Sequence, residues 1–114
     1  MMAQPTLSLD LLAAAIRPAL LAAAFEDAGS GISGSYRWVR FRRQEAPAGE
    51  RLVRLITLSH AAEEQAFLAD AYLVARLTFT YTPVGKEIRR YGTPEEAVLA
   101  AGELAAAVRR WLDA

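Results

Sequence analysis

The chain has 114 residues, 13 basic against 13 acidic side chains, one histidine, no cysteine and a 54% hydrophobic share, which fits one packed domain over 1–114. That balance excludes a polybasic arm or an acidic solvating tail, and the absence of cysteine excludes disulfides, thiolate nucleophiles and Cys-ligated metal centres. One imidazole excludes metal sites that need two, so no cofactor is expected. Much of the apolar share is alanine, which buries little area per residue, and a modest core in a short chain points toward a partner.

The stretch from Leu7 to Phe25 is apolar, yet it carries Asp10, Arg17 and Pro18 and has no basic residue ahead of it. A secretory signal needs that basic region, and a membrane span would place an Asp and an Arg in hydrocarbon at about 2.5–3.5 kcal/mol each. The expectation is therefore a cytoplasmic protein that does not enter a membrane. Capped by Thr6 or Ser8, a helix should run from about Leu7 to Asp27, bent or interrupted at Pro18, and Gly29, Ser30, Gly31 and Gly34 should end it.

Ser35 to Arg43 alternates as a first strand, with Tyr36, Trp38, Arg40 and Arg42 on one face. The turn at 44–49, with Pro47 and Gly49, leads into a second strand from Arg51 to Ser59, antiparallel to the first. Residues 60–70 mix helix formers with Phe67 and Leu68 and read as a loop with at most one helical turn. From Ala71 to Tyr81 the alternation describes a long third strand, and Pro83-Val84-Gly85 a tight turn into a short fourth strand, Lys86 to Tyr91.

Thr93-Pro94-Glu95-Glu96 then supplies an N-cap, a proline at the first helical position and a glutamate at the third. The helix it opens carries Ala97, Val98, Ala101, Leu104, Ala105, Val108, Trp111 and Leu112 as its apolar stripe. The expected fold is α+β in two layers: a four-stranded antiparallel sheet with the N- and C-terminal helices on one face, in the order α-β-β-β-β-α.

No catalytic constellation stands out. Ser59 and His60, with Glu63 and Glu64 close behind, have the residue types of a hydrolytic site, but neighbours in an extended chain point to opposite faces. The pairs Glu63–Glu64 and Glu95–Glu96 diverge on a helix, and Gly29, Gly31 and Gly34 follow a helix instead of preceding one, unlike a phosphate loop.

Two features rise above this background. Residues 33–91 hold ten Lys or Arg against six acids, while each flanking segment holds two more acids than bases. On the sheet face turned from the helices, Tyr36, Trp38, Arg40, Arg54, Tyr72, Arg76, Arg89 and Tyr91 should gather, with Arg42 beside them. Arginine interleaved with aromatics suits protein hot spots, and also stacking on bases. The second feature is the first helix, apolar almost all round: with Leu9, Leu12, Ala13, Ile16, Leu20 and Ala23 inward, Leu7, Leu11, Leu21 and Phe25 point away, toward a partner.

The expectation is a non-enzymatic protein-interaction module, a homodimer or an adaptor, chaperone or immunity-type partner binder, with Leu11, Leu21 and Phe25 at the interface. Alternatives are a pocket for an anionic small molecule lined by the sheet's arginines and aromatics, and single-stranded nucleic-acid binding on the open face. The balanced charge disfavours nucleic acid.

Overall fold

The computed structural model describes residues 9–45 and 49–113. The expected cap at Thr6 or Ser8, Leu7 and the turn residue Pro47 lie outside them. The elements follow as α1 (Leu9–Ala22), β1 (Glu26–Ser33), β2 (Tyr36–Glu45), β3 (Gly49–Ala61), β4 (Ala66–Ala75), β5 (Thr80–Arg90) and α2 (Pro94–Trp111). The five strands form one antiparallel sheet in the order β1-β2-β3-β4-β5, each paired with its neighbours in sequence. Both helices pack on one face: α1 lies against β2 and β3, α2 against β4 and β5, and the two helices touch. The fold is α+β as expected, with five strands in place of four.

The added strand is β1. Its sequence, EDAGSGIS, reads as the loop that ends a helix, and the helix does end earlier than expected. Ala24 takes a left-handed conformation at φ 68, and the amide of Phe25 reaches back to the carbonyl of Leu20 at 2.9 Å while that of Ala24 reaches Leu21 at 3.1 Å. This is a Schellman stop, which glycine usually supplies, so the sequence hides it. β1 then runs beside β2 through the two-residue connection Gly34-Ser35, with Gly34 at φ 62. Gly31 belongs to that strand for a packing reason: a β-carbon there would come within 2.8 Å of the Trp38 ring.

Two turns also differ from expectation. β3 continues to Ala61, and the turn 62–65 closes on Gln65 at φ 50, so the helix formers of 60–70 lie in a hairpin. Pairing overrides their propensity. The long third strand breaks at Ala75, and the turn falls at 76–79, not at Pro83. Pro83 is tolerated inside β5 because β5 is an edge strand and the register slips beside it, between Ala71 and Tyr72. Gly85 is required because the Trp111 ring lies where its side chain would be.

The core forms between the helices and one side of the sheet. A cross-strand row of Phe41, Ile56, Ala71 and Gly85 shows its logic: large residues on β2 and β3 meet α1, and small ones on β4 and β5 let α2 approach closely. Helix α2 answers with Ala97, Ala100, Ala101, Ala105 and Ala107, all buried, around Leu104 and Val108. Alanine against alanine explains a composition that had suggested a thin core. Val98, expected inside, is exposed. The start of α2 follows the sequence: the Thr93 hydroxyl accepts from the amide of Glu96 at 3.1 Å, with Pro94 in the first turn.

Both helices are also tied down by charge. Arg43 donates to the carbonyl of Ala23 at 3.0 Å, just past α1, and to that of Leu112 at 2.6 Å, just past α2. Arg54 donates to the carbonyl of Trp111 at 2.8 Å. Glu45 lies between them, bonded to Arg43 at 2.8 Å and to Arg54 at 2.9 Å. Burial pushes the Glu45 carboxyl upward, but the hydrogen bonds and charges of Arg43 and Arg54 outweigh it and hold the group below its ordinary range. The Arg43 guanidinium further lies 4.6 Å from the Phe25 ring centre.

Two predictions follow from these contacts. Ala24→Gly relieves the left-handed strain and is expected to stabilise the protein by about 1 kcal/mol, read from the urea midpoint; an unchanged midpoint contradicts the helix stop. Arg54→Ala leaves Glu45 and the Trp111 carbonyl short of a partner in a buried setting and is expected to cost about 3–5 kcal/mol; a loss below about 1 kcal/mol contradicts the clamp.

Candidate functional site

The side of the sheet turned from the helices is built by strand alternation. Even positions of β2 and odd positions of β3 point there, so pairing assembles rows across the strands. The central row is Arg40, Thr57, Asp70 and Lys86; the next is Arg42, Leu55, Tyr72 and Pro83; beyond it Val53, Val74 and Tyr81 follow. On the other side of centre lie Trp38, Ser59, Leu68 and Ile88. None of the described elements covers this face.

Its side chains are partly organised among themselves. Arg40 donates to the Thr57 hydroxyl at 3.1 Å and sits 5.0 Å from the Trp38 ring centre. The Tyr36 hydroxyl donates to Glu64 at 3.0 Å, and Arg42 to Glu26 at 2.8 Å. Tyr72 and Tyr81 meet edge to face at 6.2 Å between centroids. Burial raises the Asp70 carboxyl above its ordinary value, with Arg40 and Lys86 pulling the other way. By register and contact the face carries Arg40, Arg42, Arg76, Lys86 and Arg90 against Glu26, Glu64 and Asp70, a basic surface on a chain of zero net charge.

Two adjoining depressions mark it. One of about 210 Å³ is lined by Arg40, Leu55, Thr57, Asp70, Tyr72 and Tyr81. The other, about 200 Å³, is lined by Arg42, Val53, Leu55, Val74, Arg76 and Tyr81. Each is smaller than the roughly 300–1,000 Å³ of small-molecule sites. A wider cleft of about 440 Å³ opens elsewhere, between the start of α1 and the β1–β2 hairpin, with Asp10 and Arg37 as the charged members of its lining.

The face ends at the β4–β5 turn, where Leu77 is 79% exposed and Phe79 is 80% exposed. Phe79 is held at φ 53, a left-handed conformation that is an outlier for a bulky residue. Strain of this kind accumulates at functional sites. Two large apolar side chains are thus presented to solvent at the rim of a basic, tyrosine-bearing surface.

The structure sorts the residues expected from sequence. Tyr36, Trp38, Arg40, Arg42, Tyr72 and Arg76 share the open face. Arg54 does not: it points to the helices and caps the end of α2, because β3 has the opposite phase from that expected and Ile56 and Leu58 are core. Arg89 also lies on the helix side, opposite Phe67, paired with Glu87. Tyr91 is buried and bonded to His60 at 2.6 Å. Of the interface residues, Phe25 is buried beneath Arg43, Leu11 is half-buried against the core and Leu21 is 54% exposed, so most of α1's apolar surface packs within the chain.

His60, expected in the loop that begins at residue 60, is instead in the core, with Phe67 at 4.8 Å between ring centroids. Ser59 projects to the other face, as the alternation requires, so the two do not form a nucleophile–base pair. No group of His, Asp and Glu suited to a metal occurs among the described residues. Sequence reasoning missed Leu77 and Phe79, because Arg76-Leu77-Thr78-Phe79 contains none of the usual turn formers.

Burial lowers the His60 pKa below its ordinary value of 6.5, so the folded protein holds it neutral while the unfolded chain takes up a proton near 6.5. Its contribution is therefore complete above pH 6.5 and is lost as pH falls through the window below it, with a slope of up to about 1.4 kcal/mol per pH unit. Urea unfolding between pH 7.5 and about 5 should show this slope, and His60→Phe/Tyr91→Phe should abolish it. Equal slopes in the two proteins contradict the assignment.

No helix among the described residues is long and apolar enough to cross a membrane. Compared with models of known protein families, with characterised proteins and with solved structures, the chain matches none.

Proposed function

We propose that this protein is a non-enzymatic interaction module that docks an acidic, apolar-bearing segment of another protein on the open face of its sheet. The observation that carries the reading is Phe79, presented to solvent by a strained turn at the rim of that face, with Leu77 beside it. Interface energy concentrates in a few aromatic and arginine residues, and this corner combines Phe79, Tyr81, Tyr72, Arg42 and Arg76. The excess of basic side chains selects a partner of opposite charge and opposes symmetric pairing of the face with a second copy. The shallow depressions suit side chains of a docked segment better than an enclosed metabolite. The Asp70 carboxylate and Glu26 count against a phosphate backbone.

The reading is tested by NMR titration of the labelled protein with three probes: a peptide alternating Glu with Leu and Phe, its Lys counterpart, and a single-stranded oligodeoxynucleotide. The expected result is saturable shifts from the acidic peptide at Tyr72, Tyr81 and the 76–79 turn. Phe79→Gly should weaken binding at least about tenfold while raising stability, because it removes an anchor and a strained conformation together. Equal or tighter binding of the basic peptide or the oligonucleotide, or full affinity in Phe79→Gly, would overturn the proposal.

A further inference from the structure

Helix α2 buries Ala97, Ala101, Leu104 and Val108, and a step of about 100° per residue places Glu95, Leu99, Gly102 and Ala106 on its opposite side. Val98 and Arg109 flank that line on one edge, Glu103 and Arg110 on the other. Val98 is 58% exposed and Leu99 68% exposed, and the space around Gly102 is open. A surface helix normally turns charged residues to solvent along the middle of its back. This one does so at its ends, and its centre is apolar apart from Glu103 on one edge.

We infer that this face is a dimer contact, occupied by α2 of a second copy running antiparallel across Gly102. The charge pattern selects both the occupant and its direction. Glu95 and Glu96 open the helix and Arg109 and Arg110 close it, so an antiparallel copy sets acid against base at both ends. A parallel copy would set like against like. With the twofold axis near Gly102, Leu99 of one copy lies over Ala106 of the other, and the glycine allows the backbones to approach closely. The same edge meets the same edge, which directs Arg109 toward Glu95 and Arg110 toward Glu96 across the interface and brings Glu103 near its own copy at the axis, a single like-charge contact against the acid–base pairs at the two ends. A contact across one 18-residue helix falls short of the roughly 1,600 Å² of a standard interface, so the dimer is expected to be weak. This surface is separate from the open sheet face, and either can fail without the other.

Sedimentation equilibrium of the full chain up to about 1 mM tests it. The expected result is a monomer–dimer equilibrium that Leu99→Ser weakens at least about tenfold. Arg109→Glu/Arg110→Glu and Glu95→Arg should each weaken self-association, and an equimolar mixture of these two variants should associate more tightly than either alone. Amide spectra of each variant establish that it is folded. A monomer at every concentration, a dimer indifferent to Leu99→Ser, or a mixture no tighter than its components would overturn the inference.

Discussion

The arrangement depends on one largely buried cluster of charge, Arg43, Glu45 and Arg54, which holds the ends of both helices to the same side of the sheet. A helix ends with carbonyls that its own backbone cannot satisfy, and the two arginines meet those of Ala23, Trp111 and Leu112. Glu45 keeps two cations from facing one another unneutralised in a site of low polarity. Among the described residues no buried polar side-chain atom lacks a partner, so the cluster closes on itself.

Drawing both helices to one side leaves the other without cover, and its composition follows from that. A sheet face meeting only water should alternate toward small and charged residues. This one keeps Trp38, Leu55, Tyr72 and Tyr81 among its arginines, with Phe79 and Leu77 at its rim. The arginine stems shelter part of that apolar surface, as Arg40 does over Trp38. The back of α2 has a different character, balanced in charge from end to end. This difference underlies the two proposals above, a partner of opposite sign for one surface and a second copy for the other.

Much of this was legible in the residues. The cap at Thr93, the alternation of β2 and most of the α2 stripe led directly to observed elements, and together they were sufficient for the α+β layering. The misreadings share a cause, in that long-range pairing and packing overrode local signals. Nothing near Ala24 announces a left-handed stop, and glycine-rich β1 is a strand through its pairing with β2, where Gly31 leaves room for the Trp38 ring. Arg54 was placed on the open face by a strand phase one residue out, and His60 in a loop. Their partners, Glu45 and the Trp111 carbonyl for one and Tyr91 for the other, come from distant parts of the chain. Phase errors of one residue in a strand exchange faces completely, so the expected open face lost Arg54, Arg89 and Tyr91 and gained Lys86 and Tyr81, while Asp70 joined it from a stretch read as a loop.

The proposed docking requires the uncovered face to be occupied when the protein works. Hydroxyl-radical footprinting compares side-chain oxidation in the purified protein with that in the cells that make it. The account predicts that Phe79 and Tyr81 are several-fold protected in the cell while exposed Leu21 on α1 reacts equally in both. Equal oxidation of Phe79 and Tyr81 in the two settings would contradict it.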